Sequence, residues 1–291
     1  MVLESLTNPL KAEMHPAIVM VHGMIYSGIG LGFSLWFMPQ YASILMILFI
    51  TAASIPLLYN LIKYEEQKDY SELEERTLIK EHGKACLAYF MLFVGITITL
   101  MAAFLLLPPN MLQDTFAAQI DALHIINPAN IIGQAANITG EAASFGFFSR
   151  VFLNNVKVLM FCLLFSFLYG AGAIFILTWN ASVIAVAMGD TIRTKLGALA
   201  ELAGFAKIGV YFLVGGKIVV LRYMFHGSLE IIAYMLAGLA GGIISVAVIR
   251  HHYQSRQFQH IIMDSTDLIL LSLAVLFIAG MVETWVTPFF Y

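Results

Sequence analysis

Long apolar runs alternate along the chain with short polar interruptions. Several runs reach the roughly 20 residues that a helix rising about 1.5 Å per residue needs to cross a hydrocarbon core of about 30 Å. The first two, at 14–37 and 41–61, are separated only by Met38-Pro39-Gln40 and predict a helical hairpin over 14–61. Residues 62–85 change character. There Lys63, Lys68, Arg76, Lys80 and Lys84 alternate with Glu65, Glu66, Asp69, Glu72, Glu74, Glu75 and Glu81, which predicts a water-exposed helix or loop. A third span covers 86–107 and stops at Pro108-Pro109. The stretch 108–150 reads as a long outer loop carrying Asp114, Asp121, His124, Asn130, Asn137 and Glu141.

A fourth span is expected at 152–179, and beyond Asn180 the pattern breaks. A short apolar piece at 181–188 leads to Gly189-Asp190, Arg193 and Lys195, and then to 205–221 with Lys207, Gly215-Gly216 and Lys217. This region is either a broken or re-entrant membrane element or an interfacial amphipathic helix. A helix over 226–249, a basic loop with Arg250, His251, His252, Arg256 and His260, and a final span at 267–281 complete the chain. The prediction is an all-α, polytopic transmembrane helical bundle of six to seven membrane segments in one membrane domain, 1–291, with 151–291 as its core.

Composition agrees: 60% of residues are hydrophobic and 11% charged, against roughly a quarter charged in soluble domains. Residues 1–14 mix Glu4, Lys11 and Glu13 with apolar positions and read as a short amphipathic lead-in rather than a removable signal. Cys86 and Cys162 both lie in apolar segments and suggest neither a disulfide framework nor a metal site. A net charge of −3 gives no sign of nucleic-acid binding. Lysine and arginine mark the cytoplasmic side of short loops, so 62–85 and the N-terminus are expected inside and 108–150 outside, in a cell membrane. Asn137-Ile138-Thr139 on that outer loop is formally a glycosylation acceptor.

Small residues four apart allow helix backbones to approach closely where lipid supplies no hydrophobic drive. Cys162, Ser166, Gly170 and Ala173 form one such face, and Ala233, Ala237, Gly241 and Ser245, with Gly238 and Gly242, form another. The second helix also carries His226-Gly227 and Glu230 within its apolar run. Charged groups at bilayer depth cost about 2.5–3.5 kcal/mol on an insertion scale and usually face a protein interior or a wet cavity. Four residues apart, His226 and Glu230 share a helix face, and Arg222 is a further partner within reach. The pair is read as a polar clasp between helices, with a proton or ion relay, or metal or acid–base chemistry, as alternatives. His22, with Tyr26 and Ser27 one turn on, reads as a buried histidine satisfied by a neighbouring helix. Glu283 reads as a group reaching the headgroup region beside Trp285. His-Glu-x-x-His spacing, phosphate loops and nucleophile elbows are absent, so no cofactor or metal is expected.

The residues also carry a resemblance. Phe152-Leu-Asn154-Asn155-Val-Lys-Val158, Tyr169-Gly-Ala-Gly172, Trp179-Asn180, His226-Gly-Ser-Leu-Glu230 and Ala237-Gly-Leu-Ala-Gly-Gly242, in that order and spacing, resemble the stage II sporulation protein M family. Leu35-Trp36, Tyr41-Ala-Ser43, Lys80-Glu-His-Gly-Lys84, 174–180 and Val286-Thr-Pro288 look like its archaeal branch. Phe225 stands where many relatives have proline before the His-Gly pair. The resemblance implies an integral membrane protein without a demonstrated activity of its own. In spore-forming bacteria, members recruit cell-wall hydrolases during engulfment, a role that an archaeal-type relative, lacking peptidoglycan and spores, cannot keep intact. The expected function is a non-enzymatic membrane scaffold whose partners are the lipid bilayer, membrane or envelope proteins and a second copy in a homo-oligomer. A transporter or channel subunit using His226 and Glu230 is the alternative, and an intramembrane hydrolase the third reading.

Overall fold

A computed structural model describes residues 8–70, 75–126, 141–166, 171–197, 225–249 and 256–286, and among these the chain is helical without strands. In chain order the helices are α1 (Pro9–Met14), α2 (Pro16–Phe37), α3 (Ala42–Tyr70), α4 (Glu75–Leu106), α5 (Pro109–Thr115), α6 (Ala117–Ile126), α7 (Glu141–Ser166), α8 (Ala171–Gly197), α9 (Phe225–Ile249) and α10 (Arg256–Met281). A π-helical turn, Val282–Val286, prolongs α10. Prolines set several boundaries, since Pro9, Pro16 and Pro109 occupy first-turn positions where a missing N–H costs nothing. Asn8 caps α1 by accepting from the amides of Leu10 and Lys11 at 3.0 and 3.4 Å.

Among the described residues, seven helices are long and apolar enough to cross a membrane: Pro16–Phe37, Pro39–Lys68, Glu81–Leu106, Phe145–Ser166, Ala173–Thr194, Gly227–Ile249 and Phe258–Val286. Their lipid-facing surfaces carry large exposed apolar side chains such as Ile25, Ile29, Phe33, Phe161, Leu164, Leu270 and Ile278. The chain is a multi-pass membrane protein.

The spans divide the sequence differently from the hydropathy pattern. The apolar run at 152–179 belongs to two helices, α7 and α8, and Ser166 and Ala173 both lie within 4 Å of the point where a Cβ on Gly238 would sit. Seven residues of straight helix would separate them by about 10 Å. Hydropathy does not mark the division, because Phe167-Leu-Tyr-Gly170 is as apolar as its flanks. Asn180 does not end a span either; α8 continues through it to Gly197. α8 is thus a candidate span of its own, and 205–221 lies outside the described residues, as do Arg222, Gly170, Asn137 and the loop 250–255. The basic positions Arg256 and His260 begin α10 rather than preceding the last span. The 108–150 stretch contains α5, α6 and the start of α7.

α9 is the central helix. Its membrane window is 83% buried, against 17% for α7, and it touches α3, α4, α7, α8 and α10. Its small residues make this contact close. A Cβ on Gly241 would stand 2.7 Å from the Leu163 carbonyl oxygen, one on Gly238 3.0 Å from Ala173 Cβ, and one on Gly242 2.9 Å from Ile62 Cδ1. α2 and α4 approach in the same way. A Cβ on Gly23 would meet the Leu92 oxygen at 2.4 Å, and one on Gly95 the Met20 oxygen at 2.1 Å.

Long-range contacts assign the helix ends to two sides. Glu13 on α1 meets Lys68 near the end of α3, and Glu65 meets His82 near the start of α4. On the opposite side, Arg193 near the end of α8 donates to the Leu107 carbonyl at 2.7 Å, and Gln119 on α6 donates to the Ser43 carbonyl at 3.1 Å.

Candidate functional site

Glu230 sits in the second turn of α9, three residues beyond Gly227, which has no atom within 4 Å of a Cβ position. The Glu230 carboxylate accepts a hydrogen bond from Asn155 Nδ2 on α7 at 2.5 Å. Its other neighbour is Glu283, whose carboxyl lies within electrostatic reach of it.

The sequence builds this meeting from three helices. Asn155 lies mid-span on α7, which runs alongside α9. Glu283 lies in the π-helical turn, a geometry that rotates side chains off the ordinary helical register and recurs at functional sites. An aromatic cluster pins that turn. Phe148 on α7 packs against Phe277 and Trp285 at ring separations of 5.3 and 5.4 Å, and Phe152 packs on Phe277 at 5.6 Å. Tyr234, one turn after Glu230, and Cys162 on α7 are buried within electrostatic reach of one another, and Tyr234 also of both carboxyls.

The other singled-out residues fall elsewhere. His226 opens α9, but its side chain lies outside the described residues, so the described partners of Glu230 are Asn155 and Glu283. Glu283 lies within electrostatic reach of Glu230, and Trp285 beside it is exposed. Asn154 points to the exposed side of α7. Asn180 donates to the Ile176 carbonyl of its own helix at 2.8 Å. His22 stacks on Tyr26 with ring centroids 5.8 Å apart, and its buried Nδ1 has no hydrogen-bond partner among the described residues. No group of three or more His, Cys, Asp or Glu side chains among the described residues is arranged to hold a metal ion.

Part of the segment that the charge pattern marks as water-exposed forms a second, buried polar cluster. Lys68 donates to both oxygens of Glu13 at 2.9 and 2.8 Å, to Glu65 at 2.7 Å and to Glu81 at 3.3 Å. Lys84 pairs with the other Glu81 oxygen, and His82 Nδ1 lies 2.8 Å from Glu65 Oε2. Glu65 and Glu66 are 0% exposed and His82 2%. Burial, reinforced by the adjacent Glu65 carboxyl, raises the Glu13 pKa from 4.5 to about 7 in spite of Lys68. The sequence did hold a signal for this burial. The buried stripe of α3, Leu57, Leu58, Leu61 and Ile62, continues at helical spacing to Glu65 and Glu66.

Residues 111–288, more than half of the chain, match the family described as Stage II sporulation protein M. No curated protein and no solved structure matches.

Proposed function

The chain belongs to the stage II sporulation protein M family, and we propose that it is a non-enzymatic scaffold that holds partner proteins in the cell membrane. One observation carries this reading: the polar groups of the candidate site come from three neighbouring helices. Asn155, Glu230 and Glu283 bring α7, α9 and α10 together, and Gly238, Gly241 and Gly242 of α9 are met by neighbouring backbones and side chains. The interior is a clasp, which leaves recognition to the periphery. α7 is the most thinly covered of the seven spans and the natural docking face for an envelope or membrane protein or a second copy. The side bearing α1 carries Lys11, Lys63, Lys68 and Lys84, whereas on the opposite side 105–126 has no lysine or arginine and Arg193 meets it from the end of α8, a bias that supports a cytoplasmic N-terminus.

Affinity capture of the tagged chain from native membranes tests the proposal. A stoichiometric partner is expected, and recovery of the chain alone overturns it. The neighbouring Glu230 and Glu283 carboxyls at membrane depth favour a second reading, a proton-coupled transporter or channel subunit. Under that reading, reconstituted protein produces solute flux and Glu230→Gln abolishes it; under the scaffold reading there is no flux in either.

A further inference from the structure

Where α3, α4 and α8 meet, a small cavity is lined by Leu58, Tyr89, Phe93, Ile174, Leu177 and Thr178. It offers about 10 Å³ of space for water centres, the room of about one water molecule. The Tyr89 and Thr178 side chains are 3% and 1% exposed, and both hydroxyls lack a hydrogen-bond partner among the described residues.

Thr178 stands out on its own helix. Hydroxyl residues inside helices ordinarily bond a carbonyl three or four residues back. Ser182 and Thr191 on α8 do so at 2.7 and 2.8 Å, as do Ser54 on α3 and Thr97 on α4, both at 2.8 Å. Thr178 does not make that local bond. Burying two hydroxyls without partners is unfavourable, and a space walled by two such groups is polar enough to hold water where a purely apolar void stays dry. We propose that the cavity binds one water molecule, hydrogen-bonded by Tyr89 Oη and Thr178 Oγ1 and joining α4 to α8 through it.

The site has a definite place in the molecule. Tyr89 lies seven residues, or about two turns, below His82 on the same face of α4, with Cys86 between them. The site thus lies about two turns along α4 from the ionic cluster of Glu65 and His82.

Tyr89→Phe deletes only the phenolic oxygen, and its sign is diagnostic. If the hydroxyl is unpartnered, its removal raises the thermal unfolding temperature of the full chain in lipid nanodiscs; if it holds water, removal lowers that temperature. The expected result is a fall for Tyr89→Phe and for Thr178→Val, with the double variant falling less than the two shifts combined, because the first substitution already releases the water. Thr178→Ser, which keeps the oxygen, should stay nearer the parent. A rise for Tyr89→Phe, or strictly additive shifts, overturns the proposal. A high-resolution structure of the parent provides a readout independent of variant folding. A density peak within hydrogen-bond distance of both oxygens supports the site, and its absence overturns it.

Discussion

Gly23 and Gly28 stand five residues apart on α2 and should respond to the same substitution with opposite signs. An added methyl at Gly28 meets nothing within 4 Å. At Gly23 it would lie 2.4 Å from the Leu92 carbonyl oxygen, against an ordinary contact of 3.4 Å or more, so α2 and α4 must separate by about 1 Å. The obstacle is backbone, which no rotamer change can move aside, and overpacking of this kind costs about 1–3 kcal/mol. Alanine returns up to about 1 kcal/mol in helix propensity at either site. Gly28→Ala should therefore be neutral or stabilising and Gly23→Ala destabilising, with the two variants differing by about 1–3 kcal/mol. At about 2–4 °C per kcal/mol for a chain of this size, this is roughly 2–12 °C between their unfolding temperatures. Thermal unfolding of both variants in one lipid or detergent system, at one scan rate, measures the difference directly. Equal shifts, or a lower unfolding temperature for Gly28→Ala, would refute the close approach of α2 and α4.

Other substitutions probe the two polar clusters. Lys68→Met leaves Glu13 and Glu65 without their shared ammonium and should destabilise by about 3–5 kcal/mol, the cost of stranding a buried charge, as read from unfolding temperature. Asn155→Leu should cost about 1–3 kcal/mol by leaving Glu230 short of a donor, whereas Glu230→Gln retains an acceptor for Asn155 and an N–H for Glu283 and should stay close to the parent. Equal losses for those two variants in the same melt would count against the clasp. Glu13 supplies a pH test. Its pKa of about 7 in the folded chain exceeds its ordinary 4.5, so its stabilising contribution is complete below pH 4.5 and is lost as pH rises through about 7. Glu13→Gln, neutral throughout, should flatten that part of the pH–stability profile; a profile superimposable on the parent's would refute the assignment.

Fold class and membrane nature were legible because apolar runs of helical length are a one-dimensional property. The partition was less so. A pair of successive helices joined through Phe167-Leu-Tyr-Gly170 has the hydropathy of one long helix. Burial of Glu65, Glu66 and His82 was hidden by treating charge as solvation, although the helical spacing of α3 carried their burial through. At the candidate site, Asn155, Glu230 and Glu283 were each notable as polar residues in apolar surroundings. Spacing within one helix could suggest only His226 as a neighbour for Glu230. The described partners lie on other helices, and no periodicity within α9 encodes them.

The order of these partners along the chain bears on how the protein is made. Asn155 enters the bilayer with α7, Glu230 follows 75 residues later on α9, and Glu283 arrives only with the end of the last helix. Until that moment Glu230 is a carboxyl at membrane depth with its set of partners incomplete, the kind of group that insertion machinery admits reluctantly. Closing the three-helix contact therefore waits for α10. A chain stopped before α10 keeps Glu230 at membrane depth without its Glu283 neighbour.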